Sequence, residues 1–201
     1  MKILTDIELY GVAGSWVLFM LVFVTRRKGV RASLIARDRS SLGGLLLQVA
    51  ALAVVRGDLR APGTGFLSSN LVVEYVGATV AFGLIAASIW LAFCAVHMLG
   101  KQWSLAARLV EGHELITAGP YAMVRHPIYT AMLGMLVGSA IAIGQWPALL
   151  GAVALFLLGT ALRVRAEERL LTAEFGDSYR DYAHLVPALV PRLLLGRPAS
   201  A

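Results

Sequence analysis

Long apolar runs alternate with short polar segments along the whole chain. Five of these runs have a length that suits a membrane, and they cover residues 9–25, 41–55, 71–99, 128–143 and 147–162. A helix that crosses a bilayer needs about 20 mostly apolar residues. The pattern therefore predicts an all-α, polytopic membrane protein with about five transmembrane helices. Only three residues separate the last two runs, so these helices are expected to form an antiparallel hairpin.

The polar segments between the runs differ in their content of Lys and Arg. Counting both residue types by side gives fifteen on one face of the membrane and three, Lys2, Arg56 and Arg60, on the other. Because cytoplasmic loops are enriched in Lys and Arg, this distribution predicts an N-terminus outside and a cytoplasmic C-terminus. A cleaved signal peptide is the alternative for the first run, but its head carries Asp6 and Glu8 instead of a basic cluster.

The composition agrees with a membrane protein and excludes several other classes. Of the 201 residues, 58% are hydrophobic and 15% are charged, whereas soluble domains contain about 25% charged residues. The net charge of +6 follows from the topology, so no nucleic-acid partner is expected. Cys94 is the single cysteine, which excludes an intrachain disulfide. His113 and His126 are thirteen positions apart and match no zinc motif, so no metal is expected.

Residues 101–129 form a polar segment that is richer in His, Tyr and Pro than a connector requires. The Gly-Pro pair at 119–120 predicts a turn, and Pro127 predicts an extended His126 just before a helix with Tyr129 in its first turn. A helix N-terminus at this point suits an anionic group of a ligand. The alternative is that the basic and aromatic residues only anchor the membrane interface.

A second polar segment follows the fifth apolar run. Arg163 and Glu167 are four residues apart and share one face of a continuing helix, whereas Glu168 points about 100° away. The alternative for these three residues is an ion-paired helix end whose long side chains reach towards water.

One more short helix is predicted after this segment. Gly176 predicts a helix stop, and Ser178 with Asp181 forms a candidate capping box for the next helix. This short helix is expected to lie along the membrane surface and to cover another part of the protein with an apolar face made of Tyr179, Tyr182 and Leu185.

Residues 98–192, roughly half of the chain, resemble the isoprenylcysteine carboxyl methyltransferase family and its phospholipid methyltransferase relatives. The matching stretches are Leu99-Gly100-Lys101-Gln102-Trp103-Ser104, His113-Glu114-Leu115-Ile116, Gly119-Pro120-Tyr121, Arg125-His126-Pro127-Ile128-Tyr129, and Glu167-Glu168 followed by Phe175-Gly176 and Tyr179. An RHPxY motif followed by paired glutamates at the end of the next helix is the specific part of this match. The family pattern usually has glycine where this chain has Ala131, so a narrower approach of the backbone to the cofactor is expected.

The resemblance implies S-adenosylmethionine as the cofactor, in a cytoplasmic pocket formed by the 100–127 segment and the C-terminal helices. It implies that Arg163, which corresponds to the family's substrate-facing arginine, is the catalytic residue. It also implies three regions: residues 1–97 as three substrate-accommodating helices, 98–192 as the methyltransferase core and 193–201 as a tail. The implied cofactor-binding residues are His113, Glu114, Leu115, Ile116, Tyr121, His126, Pro127, Ile128, Tyr129 and Glu167.

The implied activity is transfer of a methyl group from S-adenosylmethionine to the carboxylate of a lipophilic, isoprenylcysteine-like substrate that enters from the bilayer. A carboxylate is already ionised at neutral pH, whereas an amine must lose a proton and its cationic form is repelled by Arg163. The alternatives are a phospholipid amine N-methyltransferase, a membrane reductase of the sterol-reductase type and a non-enzymatic membrane subunit.

Overall fold

The computed structural model describes residues 2–24, 34–38, 41–57, 71–104, 108–110, 112–143 and 146–192. Two short strands, β1 Leu34–Arg37 and β2 Arg108–Val110, are present. Two 3₁₀ turns, Gly100–Gln102 and Gly119–Ala122, lie between the third and fourth helices. The helices are α1 Lys2–Val24, α2 Ser41–Gly57, α3 Leu71–Leu99, α4 Pro127–Ala142, α5 Trp146–Phe175 and α6 Asp177–Leu185.

Each of the five apolar runs falls on one of the helices α1 to α5, so the helical part of the prediction is confirmed. Two stretches, Val72–Leu99 and Ala148–Phe175, are long and apolar enough to cross a membrane. The apolar stretches of the other three helices, Glu8–Val24, Ser41–Val55 and Pro127–Ala142, are shorter. Five complete crossings therefore stay a prediction, as does the division of the chain into three regions, of which 193–201 lies outside the described residues.

Helix α4 packs against both α3 and α5 and connects two apolar clusters. One cluster takes residues from α1, α3 and α4, among them Phe19 and Met135. The other takes residues from α2, α4 and α5, among them Leu136 and Phe156. Ala131 belongs to the first cluster and does not line the cavity described below. The narrower cofactor approach expected at this position stays a prediction.

Helices α2 and α5 pack with their backbones in contact. A Cβ atom on Gly44 would overlap the carbonyl oxygen of Gly159 and lie 2.6 Å from Cγ of Arg163. One turn further along α2, Nε2 of Gln48 donates a hydrogen bond to Oγ1 of Thr160 at 2.9 Å. Small residues allow membrane helices to approach closely, and here they place α2 directly against Arg163.

The two strands pair antiparallel and join the segment after α1 to the segment after α3. Asp38, which follows β1, accepts a hydrogen bond from Nη2 of Arg169 on α5 at 2.7 Å. Leu109 of β2 is buried and lines the cavity. The all-α prediction describes the bulk of the fold but misses this small sheet. Strands of three or four residues are too short to show an alternating pattern of apolar and polar positions.

Helix α6 begins directly after Gly176, whose φ of 55° favours glycine. The predicted stop at Gly176 is confirmed. The predicted capping box is wrong, because Ser178 lies inside the helix and the N-cap residue makes no side-chain hydrogen bond. Tyr179 and Tyr182 are buried as expected, whereas Leu185 is 68% exposed.

We expect Gly44→Ala to destabilise the protein, because the added methyl group must separate α2 from α5. Overpacking of this kind costs about 1–3 kcal/mol, which lowers the midpoint of thermal unfolding in detergent. Gly43→Ala is the matched control, since nothing lies within 4 Å of a Cβ atom at Gly43. That variant is expected to be neutral or slightly more stable. Equal unfolding midpoints for the two variants would contradict the close contact between the helices.

Candidate active site

A cavity of about 410 Å³ lies between the α3–α4 connection and helices α1, α2, α5 and α6. The two polar segments singled out in the sequence both contribute to it, so the structure brings them to one place. The role of each residue stays a prediction. The lining includes every site residue predicted from the sequence: His113, Glu114, Leu115, Ile116, Tyr121, His126, Pro127, Ile128, Tyr129, Arg163 and Glu167.

The lining is mostly apolar, and apart from Gln48 its polar side chains come from outside α1 and α2. We call the part that contains these polar side chains the polar half and the part from α1 and α2 the apolar half. The polar half comes from four parts of the chain, which are the α3–α4 connection, the start of α4, the C-terminal part of α5, and helix α6. Arg163 lies where the halves meet, because it contacts Tyr129 on one side and packs against Gly44 of α2 on the other. The apolar half comes from α1 and α2 and consists of Phe19, Met20, Phe23, Val24, Leu45, Val49 and Leu52, with Gln48 among them.

His126 is held between the first turn of α4 and the segment that follows α6. Pro127 is the first residue of α4, and His126 is its N-cap with non-helical φ and ψ of −125° and 63°. The backbone N–H of His126 donates to the carbonyl oxygen of Ala188 at 3.0 Å, and that of Arg125 donates to Pro187 at 2.8 Å. These bonds fix the imidazole ring in a site where it is 6% exposed.

Two consecutive carboxylates of α5 bracket the imidazole ring of His126. Its Nδ1 lies 3.4 Å from Oε2 of Glu167, and its Nε2 lies 3.2 Å from Oε1 of Glu168. Burial lowers the pKa of His126, but hydrogen bonds and the negative charges of both glutamates more than offset burial, so the pKa is raised. The two glutamates point in different directions from the helix, yet both reach the site because His126 lies between them.

Tyr129 connects Glu167 to Arg163. Its hydroxyl group donates a hydrogen bond to Oε1 of Glu167 and accepts one from Nε of Arg163 at 2.8 Å. The guanidinium carbon of Arg163 also lies 5.2 Å from the centre of the Tyr129 ring. Arg163 is 4% exposed. A buried positive charge is therefore held next to a carboxylate through one shared hydroxyl group.

Arg125 is a site residue that the sequence analysis did not single out. Its Nε and Nη2 donate to Oε1 of Glu168 at 3.0 and 2.7 Å. Its Nη1 donates to the carbonyl oxygens of Ala183 and Val186 at the end of α6, at 2.8 and 2.5 Å. Arg125 thus ties the end of α6 to the carboxylate that contacts His126. The RHPxY motif contained the signal, because a partly buried Glu168 that is 27% exposed is stabilised by a cationic partner.

Helix α6 covers the polar half of the cavity. Tyr179 and Tyr182 both line it, and the hydroxyl group of Tyr182 donates to the carbonyl oxygen of Tyr121 at 2.6 Å. Burial raises the pKa of Tyr182 to about 12, against the opposing effect of Arg125. Both tyrosines therefore stay neutral at physiological pH and act as hydrogen-bonding groups. The prediction that the short helix covers another part of the protein is confirmed for these two residues, and the part that they cover is the cavity.

Several lining residues carry buried polar atoms without a hydrogen-bond partner in the part of the chain that the structure describes. These atoms are Nδ1 of His113, Oη of Tyr179 and Oε1 of Gln48. Burial lowers the pKa of His113, with Glu174 acting in the opposite direction, which favours a neutral imidazole. Buried polar atoms are normally satisfied, so the cavity fits a polar ligand. Among the described residues, no three His, Cys, Asp or Glu side chains are grouped so that they could hold a metal ion.

Comparison with known proteins identifies relatives of the chain. Over 172 residues it is 30% identical to the nickel-cobalt-cadmium resistance protein NccN of Alcaligenes xylosoxydans xylosoxydans, covering 84% of this chain and 71% of that protein. It is 30% identical to the protein-S-isoprenylcysteine O-methyltransferase of Schizosaccharomyces pombe, over 56% of this chain and 49% of that protein. It is 38% identical to methanethiol S-methyltransferase 2 of Bradyrhizobium diazoefficiens, over 54% of this chain and 44% of that protein.

The chain thus spans about half the length of these two methyltransferases. Residues 76–178 match the phospholipid methyltransferase family and include nearly all of the predicted site. The resemblance to isoprenylcysteine carboxyl methyltransferases and their phospholipid methyltransferase relatives is confirmed, and with it a membrane methyltransferase of this type at the level of the family. By its sequence match over residues 76–178, the chain belongs to the phospholipid methyltransferase family.

Proposed function

We propose that the protein transfers a methyl group from S-adenosylmethionine to the carboxylate of a lipophilic, isoprenylcysteine-like acceptor. One observation carries this proposal: a hydrogen-bonding half and an apolar half of the same cavity meet at the buried guanidinium group of Arg163. A polar donor and an apolar acceptor need two such environments side by side. The family and the named methyltransferase relatives support the class of reaction.

The polar half fits S-adenosylmethionine by its chemistry. When bound, this cofactor supplies an electrophilic methyl group. Glu167 would hold its cationic end or its ribose, and the unsatisfied polar atoms of His113 and Tyr179 offer hydrogen bonds to its polar groups. The other proposed cofactor-binding residues are Glu114, Leu115, Ile116, Tyr121, His126, Pro127, Ile128 and Tyr129.

Arg163 favours an anionic acceptor. Because the side chain is buried, water screens its charge only weakly. A carboxylate is ionised at neutral pH and needs no general base, so the protein mainly has to align the two reactants. The cationic form of an amine would be repelled from the same position. We therefore assign Arg163 the role of orienting the carboxylate.

A thiolate is the second acceptor that the site suits. The similarity to methanethiol S-methyltransferase 2 favours it. A neighbouring arginine lowers the pKa of a thiol and increases the fraction of thiolate. Carboxylate and thiolate acceptors thus share the same requirement for Arg163, and the products distinguish them.

Helix α6, which covers the polar half of the cavity, has a role in the proposed methyl transfer. Transfer between a cationic donor and an anionic acceptor neutralises charge, so exclusion of water favours it. Helix α6 supplies the buried Tyr179 and Tyr182, and Arg125 fastens the end of this helix to Glu168. We infer that α6 keeps water away from the reacting groups.

The proposed setting is a protein that crosses the membrane with five helices. The N-terminus would lie outside, and the cavity and the C-terminus would lie in the cytoplasm. Residues 1–97 would accommodate the acceptor and residues 98–192 would bind the cofactor. Two helices long enough to cross a membrane and three shorter apolar helices support this arrangement.

Purified protein in detergent is expected to transfer label from methyl-labelled S-adenosylmethionine to N-acetyl-S-farnesylcysteine. Base treatment of the product should release volatile methanol, because a methyl ester is base-labile. A base-stable product from a thiol such as dodecanethiol would instead establish S-methylation, and one from phosphatidylethanolamine would establish N-methylation. Absence of transfer to all three acceptor classes would contradict the proposed activity.

Two substitutions are expected to separate the roles of the site residues. Arg163→Gln should lower kcat about 100-fold, which is the usual effect of removing a group that stabilises the transition state. The affinity of this variant for S-adenosylmethionine should stay unchanged. Glu167→Gln should weaken binding of S-adenosylmethionine roughly tenfold or more, because a charge-assisted hydrogen bond is lost. Titration calorimetry gives the affinity and the labelled-methyl assay gives kcat.

Arg165→Gln and Asp181→Asn are the matched controls, since both residues are exposed and neither lines the cavity. Both controls are expected to match the unmodified protein in affinity and turnover. Full turnover by both Arg163→Gln and Glu167→Gln would show that the assignment of the site is wrong.

A further inference from the structure

We propose that Gln48 selects acceptors that carry an N–H group next to the carboxylate, because its amide oxygen, Oε1, accepts a hydrogen bond from that group. This inference rests on the proposed function, since it describes the acceptor of that reaction more closely. It assigns a specificity-determining role to a residue of α2, a helix that lies outside the family match.

Gln48 is a buried polar residue in an otherwise apolar wall. It is 1% exposed, and the other cavity-lining residues of α1 and α2 are all apolar. Burial of an amide group costs free energy unless its polar atoms form hydrogen bonds. A glutamine at this position therefore needs a partner for each end of its amide group.

One end of the amide group has its partner within the protein. Nε2 donates to Oγ1 of Thr160 on α5 at 2.9 Å, and Thr160 is 0% exposed. A Cβ atom at Gly159 would lie 3.2 Å from Cγ of Gln48, so the backbone of α5 also holds the stem of this side chain. The other end, Oε1, is buried and has no hydrogen-bond partner among the residues that the structure describes. The amide group is thus held in one orientation and keeps an acceptor atom for a ligand.

Gln48 lies about one helical turn from Arg163 on both of the helices that meet there. On α2 it follows Gly44 by four residues, and a Cβ atom at Gly44 would lie 2.6 Å from Cγ of Arg163. On α5 its partner Thr160 precedes Arg163 by three residues. One turn of an α-helix rises about 5.4 Å. A donor two covalent bonds away from a carboxylate, with a hydrogen bond of about 3 Å, covers a distance of that size. One ligand can therefore reach both residues, which line the same cavity.

The chemistry of Oε1 narrows the class of acceptor. An amide oxygen accepts hydrogen bonds and cannot donate them, so the ligand must supply the hydrogen. A cationic ammonium group is disfavoured so close to the buried guanidinium group of Arg163. A neutral amide N–H on the carbon that bears the carboxylate meets both requirements. Gln48 therefore favours N-acylated amino acids over simple fatty acids and alkanethiols, which leave Oε1 unpaired.

The test compares N-acetyl-S-farnesylcysteine with its ester analogue, in which an oxygen atom replaces the amide N–H. The unmodified protein is expected to favour the amide acceptor about tenfold or more in kcat/KM, because the ester leaves Oε1 without a donor. Gln48→Met keeps the length of the side chain and removes the amide group. It should lower kcat/KM for the amide acceptor to about the value for the ester. Its kcat/KM for the ester and its affinity for S-adenosylmethionine should not fall.

Leu46→Met is the matched control, because Leu46 is 71% exposed on the same helix and does not line the cavity. This variant should keep the preference for the amide acceptor. A merely structural role of Gln48 predicts a different result, since a loosened contact with Thr160 would lower kcat/KM for both acceptors together. Equal use of the two acceptors by the unmodified protein, or an equal loss with both in Gln48→Met, would overturn the proposed role.

A binding measurement separates the failure of this inference from the failure of the proposed function. Titration calorimetry in the presence of S-adenosylhomocysteine gives the affinity of the unmodified protein and of Gln48→Met for each acceptor. A preference for the amide acceptor that Gln48→Met abolishes, without any methyl transfer, would support the role of Gln48 and contradict the proposed function. Methyl transfer without such a preference would do the reverse. If neither acceptor binds, both proposals are wrong.

Discussion

The contact between His126 and two consecutive glutamates of α5 is the interaction on which the candidate site depends. It joins the start of α4 to the C-terminal part of α5, Trp146–Phe175. Pro127 keeps His126 out of the helix, so its side chain can lie between Glu167 and Glu168. Both carboxylates would carry a high desolvation penalty at this position without cationic partners. The guanidinium group of Arg125 supplies one such partner, and the raised pKa of His126 favours its cationic form as another. Arg125 also extends the network to the cover formed by α6.

The apolar half of the cavity depends on a second constraint, the close approach of α2 and α5. Glycine at positions 44 and 159 lets the two backbones touch, and Arg163 packs into the same contact. Its charge is thereby buried beside an apolar wall and reaches the polar half through the hydroxyl group of Tyr129. A charge in such surroundings acts strongly on a neighbouring anion because water does not screen it. This arrangement explains how one cavity can present a cationic group beside an apolar wall.

Much of this architecture follows from the sequence. The apolar runs predicted helices α1 to α5, Gly176 predicted the end of α5, and the spacing of Arg163 and Glu167 predicted their common face. The site residues were found together because the RHPxY motif and the paired glutamates form a specific pattern. Glu168 was assigned away from the site, since helical spacing describes directions on α5 but not the position of His126.

The apolar wall from α1 and α2 could not be predicted, because an apolar residue has the same pattern whether it faces lipid, core or cavity. The small sheet was too short to detect.

The central claim is that two segments far apart in the sequence, 113–129 and 163–182, fold together around one methyl donor. Hydrogen–deuterium exchange with and without S-adenosylhomocysteine tests this claim most directly, because it reports on both segments in the same sample. We expect slower exchange in both segments at the same ligand concentration, with no change in the first half of α1. Protection of one segment alone, or of neither, would contradict the account.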